Sequence, residues 1–519
     1  MVCCLLLGGG TSAGFLSDAV LQLLAVPLLL ASLWRLFDLP SAKPIRWPLL
    51  FCAALFVVPL LQLIPLPPQI WTALPNRQPE AAAFELLGRE LPWMPVSVSP
   101  HATWLSAVSL LPPLAIFLGT LLLSYRERRL LSLVVLAVGV LSVFVGLNQV
   151  AQGASSPLRL FEITNPSEAV GFFANRNHFA ALLYALMLLA AAWAVEAAIS
   201  SESGRKQHDT AWIVAVVASF TVLVVLVAAQ AMARSRAGIG LTIVALFGAV
   251  GLAVSDQRAT SGVTPTRLLL GATTLAGMFA VQYALYRILE RFTEDPLADA
   301  RIGFARNTIA AAKAYMPFGS GMGTFVPVYA MFEKPEDALV DTFANRAHND
   351  LLELWLEAGA AGLGLMAIFL AWLVITSVRV WRRNGFGARD IDQTLARAAT
   401  MIIGLTIAHS FVDYPLRTGA IMAILAFACA LSIESPMGAE SETAADTREP
   451  STRRAAPAGA PAAASSPAQP SPSTARSPMH AGERWGKDIS WPEEWREDGK
   501  RRPDPATTKP SASSKATED

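Results

Sequence analysis

The stretch Arg346-Ala-His-Asn-Asp-Leu-Leu-Glu-Leu-Trp-Leu-Glu-Ala-Gly359 sets one imidazole, His348, beside the start of a helix. An imidazole titrates near neutrality, so it can take or give a proton at physiological pH. Asn349 or Asp350 can cap the helix by accepting a backbone N–H at its open end. Leu351, Leu352, Trp355 and Leu356 recur at helical spacing and form an apolar face. Glu353 and Glu357 fall one turn apart on the other face. Gly359 can take the left-handed conformation that stops the helix. The same pattern also fits His348 as part of a capping turn.

Three further stretches carry cations. Gly171-Phe-Phe-Ala-Asn-Arg-Asn-His-Phe-Ala180 opens a long apolar run. Asn175 or Asn177 can cap that run, and the unsatisfied N–H groups of the first turn favour an anion. Arg176 and His178 add charge and donors there; a cap with an interfacial anchor fits the same residues. Ala233-Arg-Ser-Arg-Ala-Gly238 holds Arg234 and Arg236 between two long runs, with almost no loop to reach lipid phosphates. Arg301 begins a segment of helical composition to Tyr315, which Pro317-Phe-Gly-Ser-Gly-Met-Gly-Thr-Phe325 then breaks. Gly319, Gly321 and Gly323 lack the βαβ surroundings of a dinucleotide loop and the Gly-Lys-Ser/Thr of a P-loop. A turn whose N–H groups approach a phosphate and a simple helix break both fit them.

Metal chemistry finds little support. The carboxylates Glu80, Glu85, Glu90, Asp295, Asp299, Asp337, Asp341 and Asp350 are scattered and not spaced as ligands, so no metal or cofactor is expected. Cys3, Cys4, Cys52 and Cys429 lie in apolar stretches and read as small packed residues.

The elements that position these groups follow from composition. The chain is 53% hydrophobic and 16% charged, with long uncharged runs, which places it in a lipid bilayer. A net charge of +1 gives no electrostatic case for nucleic acid. Apolar spans are expected at 15–34, 47–66, 104–124, 130–150, 178–199, 211–232, 239–254, 268–289, 360–380, 400–412 and 420–433. Residues 1–7 are too short to span and read as the end of a first helix that begins earlier, or as a non-spanning start. The fold is therefore an all-α polytopic integral membrane protein with about 11–12 transmembrane helices. Residues 1–433 form its membrane domain, with one long loop at 290–359.

Five loops carry Lys and Arg (35–46, 126–129, 205–206, 258–267 and 379–397) and alternate with the others along the chain. Basic short loops mark the cytoplasmic side, so the loops at 67, 151, 233, 290 and 413 face outward. His101, His178, His348 and His409 map to that outer half, with Arg176, Arg234, Arg236, Arg301, Arg346 and Arg417. Ionisable groups at membrane depth usually line a cavity or pathway, and Arg417 also suits snorkelling to lipid phosphates. From residue 434 to 519 the chain turns rich in Ala, Pro, Ser and Thr with mixed charge, and reads as a disordered cytoplasmic tail punctuated by tryptophans at 485–495.

His348-Asn-Asp-Leu-Leu-Glu together with Glu357-Ala-Gly-Ala-Ala-Gly-Leu363 resembles the signature of the O-antigen ligase and O-antigen polymerase superfamily. The segment from Gly171 to His178, the turn Ser235-Arg236-Ala-Gly, and Arg301 followed by Pro317-Phe-Gly-Ser-Gly-Met-Gly resemble further motifs of it, in order. The resemblance extends in organisation from residue 15 to 433. It implies a GT-C-like fold with a long periplasmic loop, in the bacterial inner membrane. It also implies metal-independent transfer of a glycan from a polyprenyl-diphosphate carrier to lipid A-core, to another glycan or, in a related form, to protein, as in lipopolysaccharide or exopolysaccharide assembly. By the same resemblance Arg236 and Arg301 would bind the diphosphate and His348 would orient or deprotonate the acceptor hydroxyl as general base; Arg176, His178 and Asn349 are expected to complete the substrate site. A small-anion transporter, or a non-catalytic scaffold for envelope polysaccharide assembly, are the alternatives. A transporter should show broken helices and polar residues at mid-depth, and the spans here are mostly featureless there.

Overall fold

The computed structural model describes residues 1–11, 14–38, 45–162, 164–200, 210–255, 296–338, 343–382, 385–387 and 389–437. All of them fall in one compact unit, Met1–Pro450. The second unit, Ser451–Asp519, lies outside the described residues, as do the expected span 268–289 and the tryptophans of the tail.

Among the described residues the chain is all-α. Its helices are α1 (Val2–Leu7), α2 (Leu16–Phe37), α3 (Arg46–Gln62), α4 (Pro68–Trp71), α5 (Gln78–Leu86), α6 (Pro100–Ser109), α7 (Leu111–Leu121) and α8 (Tyr125–Gln152). They continue with α9 (Arg176–Ser200), α10 (Thr210–Ala233), α11 (Arg236–Ser255), α12 (Pro296–Ala314), α13 (Phe325–Phe332), α14 (Asp350–Arg382), α15 (Asp390–Ser410) and α16 (Gly419–Leu431). Among the described residues, six helices or helix pairs are long and apolar enough to cross a membrane: α2, α6–α7, α8, α9, α11 and α14. The shorter apolar helices include α3 and α16. Each expected run within the described residues falls on a helix. The run at 104–124 breaks at Leu110, because α7 opens on Pro112 and Pro113, which cannot donate to the preceding turn. Residues 1–7 form a short helix, too short to span, inside the bundle; Leu5 is buried and α1 packs against α16 and α8.

The centre of the bundle is α9. Every residue from His178 to Ala192 is buried, and α8, α10, α11, α15 and α16 pack around it. The outer helices carry exposed Leu23, Leu30, Leu61 and Phe247, as a surface facing lipid tails requires.

Arginines that sequence alone places in a basic loop close one end of the bundle from within. Buried Arg128 donates to the carbonyls of Thr120 (3.1 Å), Leu121 (2.7 Å), Ala430 (3.1 Å) and Ile433 (2.7 Å). It thereby satisfies free carbonyls at the ends of α7 and α16. Arg129 pairs with buried Asp392 at 2.8 Å.

At the other end the loops condense into a cap. The described part of 290–359 has its own core, with Phe304, Tyr315, Phe325, Tyr329 and Leu356 buried together. Helix α14 is not straight: Gly359 has a φ of 56° and separates the cap portion, Asp350–Ala358, from the apolar portion beyond. The Gly-rich stretch before α13 is tied to that break. Ser320 N–H donates to Leu356 O (2.9 Å), Gly321 N–H to Glu357 O (3.0 Å), and Ala360 N–H to Pro317 O (2.8 Å). Its N–H groups thus serve the kinked helix, which resolves the choice between a phosphate turn and a helix break towards structure. Val98 N–H bonds to Ser320 O at 2.9 Å and joins the loop after α3 to the same cap.

Candidate functional site

Asn349, not Asp350, caps α14: its side-chain oxygen accepts the N–H groups of Leu351 and Leu352, both at 3.0 Å. Its amide donates to Phe411 O at 2.8 Å, which draws the segment between α15 and α16 against the helix start. His348 precedes it with a φ of 50°. Non-glycine residues seldom adopt that conformation, and it turns the ring back over the cap. The ring stacks on Phe304 (centroids 6.0 Å) and meets Tyr414 edge-on (5.0 Å). Its Nδ1 lies 3.0 Å from Asp413 Oδ1.

Asp413 is 1% exposed. Burial opposes its ionisation, but the bond to His348 and the nearby His178 and His409 outweigh this and hold its carboxyl well below the usual carboxylate range. An ionised carboxylate can only accept, so His348 Nδ1 carries the hydrogen and Nε2 keeps the lone pair. The His348 side chain retains 20% exposure, so the ring is oriented from behind and still open to a reactant. That is the arrangement of a general base.

Two more histidines interact electrostatically with Asp413. His178, on the first turn of α9, is fully buried; its Nδ1 lies 2.7 Å from Thr418 Oγ1 and its ring meets Tyr414 edge-on at 5.0 Å. His409, on the last turn of α15, is fully buried with Nδ1 3.3 Å from the Tyr184 hydroxyl. Tyr414, between His178 and His348, receives the Asn175 amide at 3.3 Å. Burial and the neighbouring Asp413 push its phenol up to about 12, so it stays protonated.

The arginines divide by what they already hold. Arg301 is half-buried on α12, and its charge is felt at His409. Among the described side chains it has no hydrogen-bond or ion-pair partner. Arg236 is half-buried and opens α11. Ser235 caps that helix by accepting Gly238 N–H at 3.0 Å. Gly238 permits the approach to α9, since a Cβ there would overlap Ala180 and the Gln230 amide. The turn is thereby pinned two residues from His178. Arg176 pairs with buried Glu168, while its own N–H goes to Asn165 Oδ1 (2.9 Å) and Asn177 N–H to Asn175 Oδ1 (2.8 Å). The start of α9 is therefore filled by protein acceptors.

Glu353 and Glu357 do not lie on an outward face; both are fully buried, and so is Asp350. Arg346 bonds Glu353 at 2.9 Å. Arg417, suited on sequence to snorkelling, instead turns inward to Glu357 (2.8 Å), Glu353 (3.5 Å) and Asp350 (3.5 Å). Burial works against its charge, but these three carboxylates raise its affinity for the proton. This network fixes the cap portion of α14, and so the position of His348. An apolar cavity of 230 Å³ lies behind it, lined by Phe51, Leu354, Ala358, Met366 and Met422 among others.

The structure thus brings His348, Asn349, His178 and the field of Arg301 together, sets Arg236 beside the start of α9, and commits Arg176 to Glu168. Sequence reasoning misses Asp413, Tyr414 and Thr418, whose one signal is the polar segment between two short apolar runs. Among the described residues no three His, Cys, Asp or Glu side chains are grouped so that they could hold a metal ion.

No curated protein matches the chain. Residues 207–367 match the family model described as O-antigen ligase, a range that includes Arg236, Arg301, His348 and Asn349 and stops before His409 and Asp413. Bundle, cap and match agree with the motifs read from sequence: over residues 207–367 this polytopic membrane protein is similar to the O-antigen ligase family.

Proposed function

We propose that this protein transfers a glycan from a polyprenyl-diphosphate carrier, of the undecaprenyl type, to an acceptor hydroxyl at the periplasmic face of the bacterial inner membrane. The family match supports membrane glycan transfer in O-antigen or polysaccharide assembly. The acceptor is lipid A-core in a ligase or a further glycan in a polymerase. In this reading the cap of 290–359 is periplasmic, residues 1–433 are the membrane domain, and 434–519 is the cytoplasmic tail.

The observation that carries the proposal is the pairing of His348 Nδ1 with buried Asp413, in a cluster that also feels Arg301. His348 Nε2 takes the proton of the acceptor hydroxyl. The acceptor oxygen bonds to the anomeric carbon of the donor sugar as the bond from that carbon to the diphosphate oxygen breaks. The leaving diphosphate gathers negative charge, which Arg301 and Arg236 offset; a guanidinium suits phosphate oxygens because its fork matches them and its charge persists. Arg176 and His178 support the start of α9 from the donor side, and Asn349 fixes the base. The apolar cavity along α14 gives room for an apolar chain of a lipid-borne substrate.

The test is transfer in proteoliposomes holding the full chain and a polyprenyl-diphosphate glycan, in EDTA, with lipid A-core or with excess donor. Product on lipid A-core identifies a ligase, and a ladder on the carrier a polymerase. Loss in both His348→Ala and Arg301→Ala supports the assigned roles. Folded wild-type protein that transfers to neither acceptor overturns the proposal.

A further inference from the structure

Three polar atoms at the floor of the site have no protein partner: Asp413 Oδ2, His178 Nε2 and His409 Nε2. Their residues are 0–1% exposed and come from three elements, α9, α15 and the segment between α15 and α16. Each histidine is held at the opposite ring nitrogen by a hydroxyl, Thr418 at 2.7 Å and Tyr184 at 3.3 Å. When the hydroxyl donates to Nδ1, the ring hydrogen stands on Nε2 and the inner nitrogen is a donor. Asp413 Oδ2 can only accept. Both rings interact electrostatically with that carboxylate and with each other.

We propose that His178 and His409 are positioning residues for His348, and that they act through Asp413 by way of internal water. Buried polar atoms are nearly always satisfied, and an internal water needs two to four polar partners. Internal waters that accept from each Nε2–H and, directly or through one another, donate to Oδ2 satisfy all three atoms. They hold the carboxylate in the orientation that bonds His348 and offset part of its charge. Apolar side chains would fill the same space without desolvating two imidazoles, which is why packing alone does not account for them. The inference rests on, and deepens, the reading of His348 as the base.

The sign of the effect follows. With the inner donors gone, the Asp413 charge is less offset and interacts more strongly with the charged form of the His348 ring. The other charged and titratable groups of the cluster are Tyr414 on the same segment, Arg346 and Glu353, both felt at Tyr414, and Arg301 on α12, felt at His409. None of them changes in the variants used.

The experiment labels the purified full chain with diethyl pyrocarbonate, which attacks unprotonated imidazole, and follows the His348 peptide by mass spectrometry against pH. Asn in place of His keeps a group at the Nδ1 position and deletes the inner one, while Gln reaches the inner position. His178→Asn and His409→Asn are expected to raise the labelling midpoint of His348 by about half a unit or more, with the Gln variants near wild type. An unmoved midpoint in folded Asn variants, or equal shifts in Asn and Gln, overturns the inference. Should the Asn proteins not fold, the near-isosteric Thr418→Val and Tyr184→Phe free the outer nitrogens; the same upward shift supports the inference and its absence overturns it. Labelling needs no substrate, so the two readings fail separately. Glycan transfer without a midpoint shift removes the positioning role alone. A shift without transfer removes the proposed function and leaves the coupling to Asp413.

Discussion

His348 Nδ1 and Asp413 Oδ1 stand 3.0 Å apart across 65 residues of chain, with the carboxylate buried and the imidazole partly open. The bond fixes which ring nitrogen is free. Asp413→Asn keeps the shape, but its amide can donate to Nδ1 and favour the wrong tautomer. Transfer should fall about 10²–10⁴-fold, the usual worth of acid–base catalysis, with little change in donor KM. His348→Ala should cost about as much, and the double variant no more than the worse single, because the two act as a unit. Steady-state transfer rates of the three proteins check this.

Arg301 gives a contrasting case. It lies half-buried on α12 with no described partner side chain, so its removal breaks no described pair. Arg301→Gln should leave thermal unfolding in detergent within a degree or two of wild type while transfer drops about 10²–10³-fold. Arg301→Lys should recover only part of the rate, since an ammonium lacks the planar fork.

The turn before α11 tests position without touching a charge. A Cβ at residue 238 would overlap Ala180 and the Gln230 amide, so Gly238→Ala must push α11 away from α9 and carry Arg236 with it. A cost of about 1–3 kcal/mol in stability is expected from the overpacking. At a temperature where both variants are fully folded, Gly238→Ala should lose more transfer than Gly240→Ala, where the added Cβ meets open space. Equal losses would show that the spacing of α11 from α9 does not set the position of Arg236.

Acid stability carries the mark of Asp413. Its carboxyl titrates below the ordinary range in the folded protein, because the bond to His348 and the nearby imidazoles outweigh burial. A depressed folded-state value contributes stability that is complete above the unfolded value near about 4 and is lost as pH falls towards the folded one. Wild-type unfolding temperature should therefore decline below about pH 4 more steeply than that of Asp413→Asn. Parallel curves would show that the carboxylate contributes nothing.

Helices and the His348 turn are legible in the sequence for plain reasons. Uncharged runs of this length have few alternatives to spanning, and a His-Asn-Asp sequence before an apolar helix declares a cap. Asp413 is not legible, because Asp-Tyr-Pro-Leu-Arg reads as an ordinary turn until a histidine from another loop meets it. Arg176 reads as an anion-binding residue; its partner Glu168 sits eight residues earlier in a loop with no periodicity. Glu353 and Glu357 read as one face opposite the leucines, and the spacing leaves open which face turns inward. On a soluble protein the leucine stripe of α14 would face inward, whereas beside a bilayer the carboxylates turn in and Leu351, Leu352 and Leu354 stay half-buried.

Those inward carboxylates make Arg417 the residue whose loss should matter most for folding. One guanidinium faces Asp350, Glu353 and Glu357, and Arg346 shares only Glu353 with it. Arg417→Ala leaves buried negative charge without its main counter-ion, which costs about 3–5 kcal/mol when a buried pair is broken from one side. Arg417→Lys should not recover it, because one ammonium cannot span the positions that Nε and Nη1 reach together. Replacing charge on both sides should do better. Adding Glu357→Gln to Arg417→Ala should restore part of the unfolding temperature, since Glu353 keeps Arg346 and one fewer carboxylate is left without a counter-ion. If Arg417→Ala unfolds like wild type, the network is not what holds the cap portion of α14, and another restraint must place His348.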